Sequence, residues 1–298
     1  MFKFSEQKRI CHSKYKNMNI KLKKYSNKYQ EKWNQWFAGV TDGDGYFYIN
    51  TKEKSISYEI TTHVSDARVV YDIKNKLKGG TVRLRSGSKS IRYRVKAKNI
   101  IIDIINILNG KLYNQVRLAQ FEECCRLLNI LPFSTPFNVE KNNSYLSGLI
   151  DSDGSFAISV AKSSAEDSQI SGVEGRTIRL INAKGYNQIS LKITSVDATY
   201  LYMIQRSYGL GIVYVEKANL FKKRPLAKYH WIIKSYEAFL RLYDYCKKNP
   251  LKSVKMHRMR LVLLYFKYKQ LGYHLKPVDT LEFKIWVKFC KSWFKYAY

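Results

Sequence analysis

The hydrophobic pattern of the chain changes period repeatedly, and it runs through the same series of changes twice. Apolar and polar residues alternate over residues 47–51 and 56–62, the period of a half-buried strand. From Asp66, a side chain suited to capping a helix N-terminus, the spacing lengthens to that of a helix through Val69, Val70, Ile73 and Leu77. Gly79-Gly80 ends that helix. Two short strands are predicted over 81–85 and 91–95 about a Ser-Gly-Ser turn, then helices over 99–108 and 114–130. Residues 131–143, with two prolines and three asparagines, read as a linker. Beyond it the order restarts: strands over 155–160 and 188–194, a helix over 197–208 stopped at Gly209, strands over 212–215 and 229–233, and helices from Tyr236 and from about Pro250. Residues 163–187 are polar and dotted with glycine, have no counterpart in the first half, and are expected to lengthen the loop between two strands.

Each series opens on a similar segment. Trp36-Phe-Ala-Gly-Val-Thr-Asp-Gly-Asp-Gly-Tyr-Phe47 and Tyr145-Leu-Ser-Gly-Leu-Ile-Asp-Ser-Asp-Gly-Ser-Phe156 share the form aromatic-apolar-small-Gly-x-x-Asp-x-Asp-Gly-x-Phe. A single Asp-x-Asp-Gly after an apolar helix is most often just a helix-ending turn. Two copies, each preceded by a small-Gly pair (Ala38-Gly39, Ser147-Gly148) and each followed by strands, call for a further reason. Small residues let two helix backbones approach closely, so these helices are expected to pack on each other as the seam between the halves. Asp44 and Asp153 would then meet at their C-terminal ends.

Charge narrows the partner. Lys and Arg number 53 against 23 Asp and Glu, a net charge of +30, and the self-repulsion of such an excess is relieved by a polyanion. Nucleic acid is expected rather than a membrane, because no apolar run is long enough to cross one. The five cysteines are odd in number and form no C-x-x-C pair, and the five histidines are scattered, so disulfide scaffolds and histidine-held metals are poor readings. Phosphate-loop and G-x-S-x-G motifs are absent, which removes the usual anchors of ATPases and serine hydrolases. Residues 1–31 read as a basic, disordered tail, with a targeting segment or a DNA-contacting arm as the alternatives. The wealth of Lys, Asn, Ile, Tyr and Phe fits an AT-rich, organellar (mitochondrial or chloroplast) genome.

The paired motifs resemble those of the LAGLIDADG homing endonucleases, a family that shares its motif with group I intron RNA maturases. The resemblance runs from about residue 33 to the C-terminus. It implies an α+β fold of two pseudo-symmetric αββαββα halves, residues 32–130 and 144–298, joined by the linker 131–143. Two antiparallel sheets would form a saddle with helices on the outer face. It implies a monomer that cuts one phosphodiester on each strand of a long, asymmetric DNA duplex; the alternative is a maturase bound to its own intron RNA. By the same resemblance Asp44 and Asp153 are catalytic metal ligands, and two carboxylates without histidine suit Mg²⁺. Asp42 and Asp151 would orient the helix ends. Lys255, in Asn249-Pro-Leu-Lys-Ser-Val-Lys255, matches the family's lysine-bearing segment, and a gapless match places Gln115 opposite it in the first half. Thr62 and Ser195 stand where the family often has glutamine.

Strand parity then assigns the DNA-reading face. With Phe47 and Ile49 in the core, Tyr46, Tyr48, Asn50 and Lys52 face outward, as do Ser57, Glu59 and Thr61. Arg83 and Arg85 alternate with Val82 and Leu84, and Arg92 and Arg94 with Tyr93 and Val95. These four arginines can fork onto guanine or clamp phosphate. The second-half set, with Ser159, Gln188, Lys192, Tyr214, Glu216 and His230, is less basic, so the two half-sites should differ. Trp286, Phe289, Trp293 and Phe294 recur at helical spacing and are expected in the core.

Overall fold

The computed structural model describes residues 28–53, 55–161, 169–219 and 225–296. The predicted tail therefore lies mostly outside the described residues, but residues 28–31 belong to the first helix, α1, over residues 28–44. After it come β1 (Gly45–Asn50), β2 (Ser55–His63), a single 3₁₀ turn (Val64–Asp66), α2 (Ala67–Leu77), β3 (Thr81–Leu84), β4 (Ser90–Val95), α3 (Lys98–Leu108) and α4 (Gln115–Leu128). The second half runs α5 (Tyr145–Asp153), β5 (Ser155–Val160), α6 (Gly172–Ile181), β6 (Asn187–Ser195), α7 (Ala198–Tyr208), β7 (Ile212–Glu216), β8 (Lys228–Ile233), α8 (Tyr236–Lys248), α9 (Lys255–Gln270) and α10 (Leu281–Trp293).

Each half holds one antiparallel four-stranded sheet, ordered β1-β2-β4-β3 and β5-β6-β8-β7. The opening helix of each half feeds straight into its first strand, and the two sheets are built alike, which is the expected duplicated α+β architecture. Period two is visible in the packing: Phe47, Tyr58, Ile60, Tyr93 and Val95 are buried under α2, α3 and, for β1, α4, while Tyr46, Tyr48 and Leu84 are exposed. In the second sheet Ile189, Leu191, Ile193, Trp231 and Ile233 fill the same role. Trp286, Phe289 and Trp293 are buried as expected, the first two stacked at 5.2 Å. Cys124, Cys125, Cys246 and Cys290 are buried free thiols, and burial pushes Cys124 up to about 12 and Cys125 to about 11.

Four local expectations need correction. The region 163–187 is more than a loop: within it α6 packs on α10 and on β5. The helix expected from about Pro250 starts at Lys255, because Leu251–Val254 form a bonded entry loop. Helix α2 ends one residue before the glycine pair, on Lys78 in the left-handed region (φ 55°), and Gly80 continues the turn at φ 83°. Asp66 makes no capping hydrogen bond to α2, whereas its counterpart Asp197 caps α7 by accepting from Tyr200 N at 3.2 Å.

Candidate active site

The small-Gly pairs explain how the two opening helices meet. A Cβ on Gly39 would overlap the Tyr145 carbonyl oxygen and sit 2.7 Å from Leu149 N. On Gly148 it would overlap the Trp36 carbonyl oxygen and sit 2.8 Å from Val40 N. The helices α1 and α5 thus touch backbone to backbone, and only glycine permits it. Further along, a Cβ on Gly43 would strike the Ser152 side chain and lie 3.2 Å from the Asp153 carboxyl carbon. The C-terminal turn of each helix is therefore pressed against the other, and the two outer acids share one locality.

The inner acids are buried and structural. Asp42 accepts from Tyr113 N (2.7 Å) and Asn114 N (3.2 Å), which ties the entry of α4 to the end of α1. Asp151 does the same in its own half, accepting from Lys252 N (2.8 Å), Ser253 N (3.1 Å) and Ser253 Oγ (2.5 Å). Each also takes a bond from the opposite half: Tyr145 OH donates to Asp42 at 2.5 Å, and Trp36 Nε1 to Asp151 at 2.9 Å. The aromatic that opens each motif thus serves the first aspartate of the other motif. Sequence reasoning noted these aromatics and missed their partners. Burial raises both carboxyls, Asp42 to about 7, against the pull of these donors.

Asp44 and Asp153 behave differently. Among the described residues none donates a hydrogen bond to either carboxylate. Asp44 is half-buried; loss of hydration, then the neighbouring Asp153 charge, pushes its pKa up to about 7. Asp153 is exposed by residue area, yet its carboxyl sits in a recess where lost hydration is the leading cause of its raised pKa. Two adjacent carboxylates, unsatisfied by protein donors and costly to ionise together, fit a hard divalent cation between them. No cluster of three or more His, Cys, Asp or Glu that could hold a metal occurs among the described residues, so a cation here would draw its side-chain charge from this pair.

Two cations moderate the pair. Lys255 reaches it as expected, but its ammonium donates to the carbonyl oxygens of Ile150 (3.0 Å), Asp151 (2.8 Å) and Ser152 (2.7 Å). All three protons are used at the negative end of α5, so Lys255 steadies the turn that carries Asp153 instead of pointing a proton outward. Gln115 does not stand opposite it. Asp42 binds Tyr113 N and Asn114 N, whereas Asp151 binds Lys252 N and Ser253 N, so the position matching Lys255 is Val116. The cation of the first half is Arg117, which the sequence reading overlooked. Its charge lowers Asp44, Asp153 and Asp42, and its Nε is buried without a hydrogen-bond partner. Asp66 completes the setting from an unexpected direction: buried at the seam, its Oδ1 accepts from Val254 N at 2.7 Å, across the halves. On the same side Asp72 pairs with Lys252 Nζ at 2.6 Å. Thr62 is half-buried opposite Ile91, and Ser195 Oγ accepts from Asp197 N at 3.0 Å, a local use.

The open sheet faces carry the expected residues, some already committed to neighbours. Tyr46, Tyr48, Lys52, Arg83, Arg85 and Lys192 are exposed. Asn50 instead shapes the hairpin, accepting from Lys52 N (3.1 Å) and Glu53 N (3.2 Å). Ser159 Oγ donates to the Gln188 carbonyl at 3.1 Å. Arg92 and Arg94 both pair with Glu59, at 3.1 and 2.7 Å. In the second sheet His230 is buried between Thr194 Oγ1 (2.8 Å) and Glu216 Oε2 (3.1 Å) with Tyr214 stacked on it, and burial lowers its pKa. No helix among the described residues is long and apolar enough to cross a membrane.

Comparison with known proteins agrees with this fold. The family model described as LAGLIDADG endonuclease matches residues 37–128 and 146–265. The chain is 34% identical over 275 residues to a probable intron-encoded endonuclease aI2 of Debaryomyces hansenii, covering 92% of this chain and 39% of that protein. It is equally 34% identical over 285 residues to the intron-encoded RNA maturase bI4 of Saccharomyces cerevisiae, covering 95% and 38%. The chain thus spans just under two fifths of the length of these curated relatives. Its fold is similar to that of the I-LtrWI LAGLIDADG homing endonuclease bound to target DNA, at a TM-score of 0.64 and 16% identity over 88% of this chain and 97% of that one. The I-AabMI meganuclease bound to uncleaved DNA gives 0.60 and 16% over 86% and 98%.

Proposed function

The chain belongs to the LAGLIDADG endonuclease family, and from that premise we propose that it is a site-specific double-stranded DNA endonuclease requiring Mg²⁺. The observation that carries the reading is the pair Asp44 and Asp153: two carboxylates from separate halves, brought together by a glycine seam and without a hydrogen-bond donor among the described residues. Asp44 and Asp153 hold the cation. A hard divalent ion supplies Lewis acidity toward the phosphodiester oxygens there. The chain's own residues do the rest. Lys255 and Arg117 favour the ionised carboxylates against the burial that raises them, and set positive potential where phosphates approach. Asp42 and Asp151 hold the loops that bring those cations in.

Duplex DNA lies across the two open sheet faces, whose differing side chains select an asymmetric site. Tyr46, Tyr48, Lys52 and Arg83 with Arg85, Arg92 and Arg94 read or clamp one half-site; Lys192 and Ser159 contribute to the other. One chain carries both halves, so it acts as a monomer. The net charge of +30 makes binding steeply salt-dependent. Its relatives are named as intron-encoded, and an organellar intron is the setting proposed.

The test is to incubate the protein with the intronless allele of its host gene and Mg²⁺. Linear product is expected, and it should vanish in Asp44→Asn and in Asp153→Asn while duplex binding persists. The 34% identity to a protein named an RNA maturase favours a second reading, a splicing cofactor for its own intron RNA. Tight RNA binding with no cutting of any allele by the unmutated protein would select that reading instead.

A further inference from the structure

Glu59 lies on the open face of the first sheet with one arginine on each carboxylate oxygen. Its Oε2 accepts a hydrogen bond from Arg92 Nη1 at 3.1 Å, and its Oε1 lies 2.7 Å from Arg94 Nε, an ion pair without hydrogen-bond alignment. Strand register makes the arrangement rigid. Glu59 stands directly opposite Arg94, with Tyr46 on its other flank, and Arg92 sits one row along, opposite Thr61 and Arg83. The glutamate side chain is only 16% exposed, whereas the arginines are 37% and 35% exposed. The carboxylate is therefore the most covered member of the trio, and both arginine side chains keep exposed surface on the open face.

A guanidinium has five N–H donors in a planar fork. Arg94 turns its buried Nε toward the carboxylate as an ion-pair contact, which leaves the paired terminal nitrogens; Arg92 donates from one terminal nitrogen, which leaves Nε and the other. Each remainder is a two-donor edge, the shape that matches O6 and N7 of guanine in the major groove. Residues two apart on a strand are about 6.7 Å apart, close to two steps of duplex at about 3.4 Å each. Held flat by a shared anion, these forks are suited to base edges more than to phosphates, because the glutamate cancels part of the charge a phosphate would seek.

We infer that Glu59, Arg92 and Arg94 form a guanine-reading unit that requires two G·C pairs two steps apart in the first half-site, with Glu59 as the positioning residue. The inference rests on the DNA-binding reading above and names the sequence that one part of it selects.

The experiment is a binding selection from a randomised duplex library with the full chain, sequenced for wild type and variants, so that it does not depend on cutting. Wild type should enrich two guanines with one intervening pair. Arg92→Lys should lose one of the two and Arg94→Lys the other, since a lysine keeps the charge and lacks the fork. Glu59→Gln should weaken both preferences about tenfold while raising affinity for random duplex, and its circular dichroism should report whether it has folded. Should that variant fail to fold, the two lysine variants decide alone. An enriched site without the guanine pair, or a pair indifferent to all three substitutions, overturns the unit and leaves the nuclease reading standing. Enrichment of no sequence at all overturns both.

Discussion

Gly148→Ala is the smallest change that should separate DNA binding from DNA cutting. The added Cβ would overlap the Trp36 carbonyl oxygen and stand 2.8 Å from Val40 N, with backbone on both sides and no flexible side chain to give way. Non-bonded contact to carbon needs about 3.5 Å, so α1 and α5 must separate by roughly 1.5 Å. Overpacking of this kind costs about 1–3 kcal/mol, and contact with rigid backbone puts it near the top of that range. Alanine's better helix propensity returns about 1 kcal/mol. A net loss of about 2 kcal/mol remains, a fall of roughly 3 °C in Tm at about 2.1 cal/mol/K of unfolding entropy per residue. The catalytic consequence is larger. Asp153 rides on α5, and a misplacement of about 1 Å can lower a rate about 100-fold. Duplex affinity should change little, because the sheet faces lie away from the seam. Calorimetry, a gel-shift titration and single-turnover cutting measure the three quantities. Cutting within about threefold of wild type at an unchanged Tm would refute the claim that backbone contact at this glycine sets the carboxylate geometry.

Three further outcomes follow from bonds at the seam. Trp36→Phe deletes one of the four donors on the buried Asp151 carboxylate and should destabilise the fold by about 1–3 kcal/mol in urea; an unshifted midpoint would mean the cross-half bond contributes nothing. Asp66→Ala strips Val254 N of its acceptor and should slow cutting more than it weakens duplex binding, read as a fall in kcat at nearly constant Kd; a loss confined to Kd would contradict a role at the α9 entry. Asp42 and Asp44 are raised to about 7 from 3.8, so the folded chain keeps protons between about pH 4 and 7 that the unfolded chain has released. Their contribution to metal-free stability therefore falls as pH rises through that window. Thermal melts of wild type against Asp44→Asn should show the Asp44 part of the slope vanish in the variant, and calorimetric Mg²⁺ titration should show tighter binding at pH 8 than at pH 6; pH-independent binding would contradict the proton–metal competition.

Most of the fold was legible because it is written in periodicity, which depends on neighbours a few residues away. Alternation in 47–51 and 56–62 found β1 and β2, and the repeated small-Gly pair found the seam, because close helix approach demands those residues wherever it occurs. The α6 helix was hidden by composition: its sequence GVEGRTIRLI carries two glycines and only a short apolar stripe, and packing on α10 and β5 stabilises it. Gln115 was misplaced for a countable reason. From Asn109 to Tyr113 the first half uses one more residue than the second uses from Asn249 to Lys252, and Gly110 (φ 73°) sits in that longer turn. A gapless match cannot see the difference; the bonds to Asp42 and Asp151 can.

What the sequence withheld most completely is which half serves which. Asp66 and Asp197 occupy equivalent positions ahead of α2 and α7 and carry the same capping signal, yet Asp197 caps its own helix and Asp66 reaches over to Val254. Asp72 adds a second bond from the same half to Lys252, while its counterpart on α7 is Met203, which has no charge to offer. The loop leading to Lys255 is therefore held by both halves, and the loop leading to Arg117 is held through Asp42, with Tyr145 bonded to that same carboxylate. Pseudo-symmetry in the chain thus gives way to asymmetry at the two cations, Lys255 fully bonded and Arg117 with an unpartnered Nε. A cation with fewer fixed partners has more freedom to meet a phosphate. On the nuclease reading the two DNA strands should then be cut at different rates, and Arg117→Lys should slow one nick more than the other, resolved by end-labelling each strand. Equal slowing of both nicks would show that the two cations act on a shared centre.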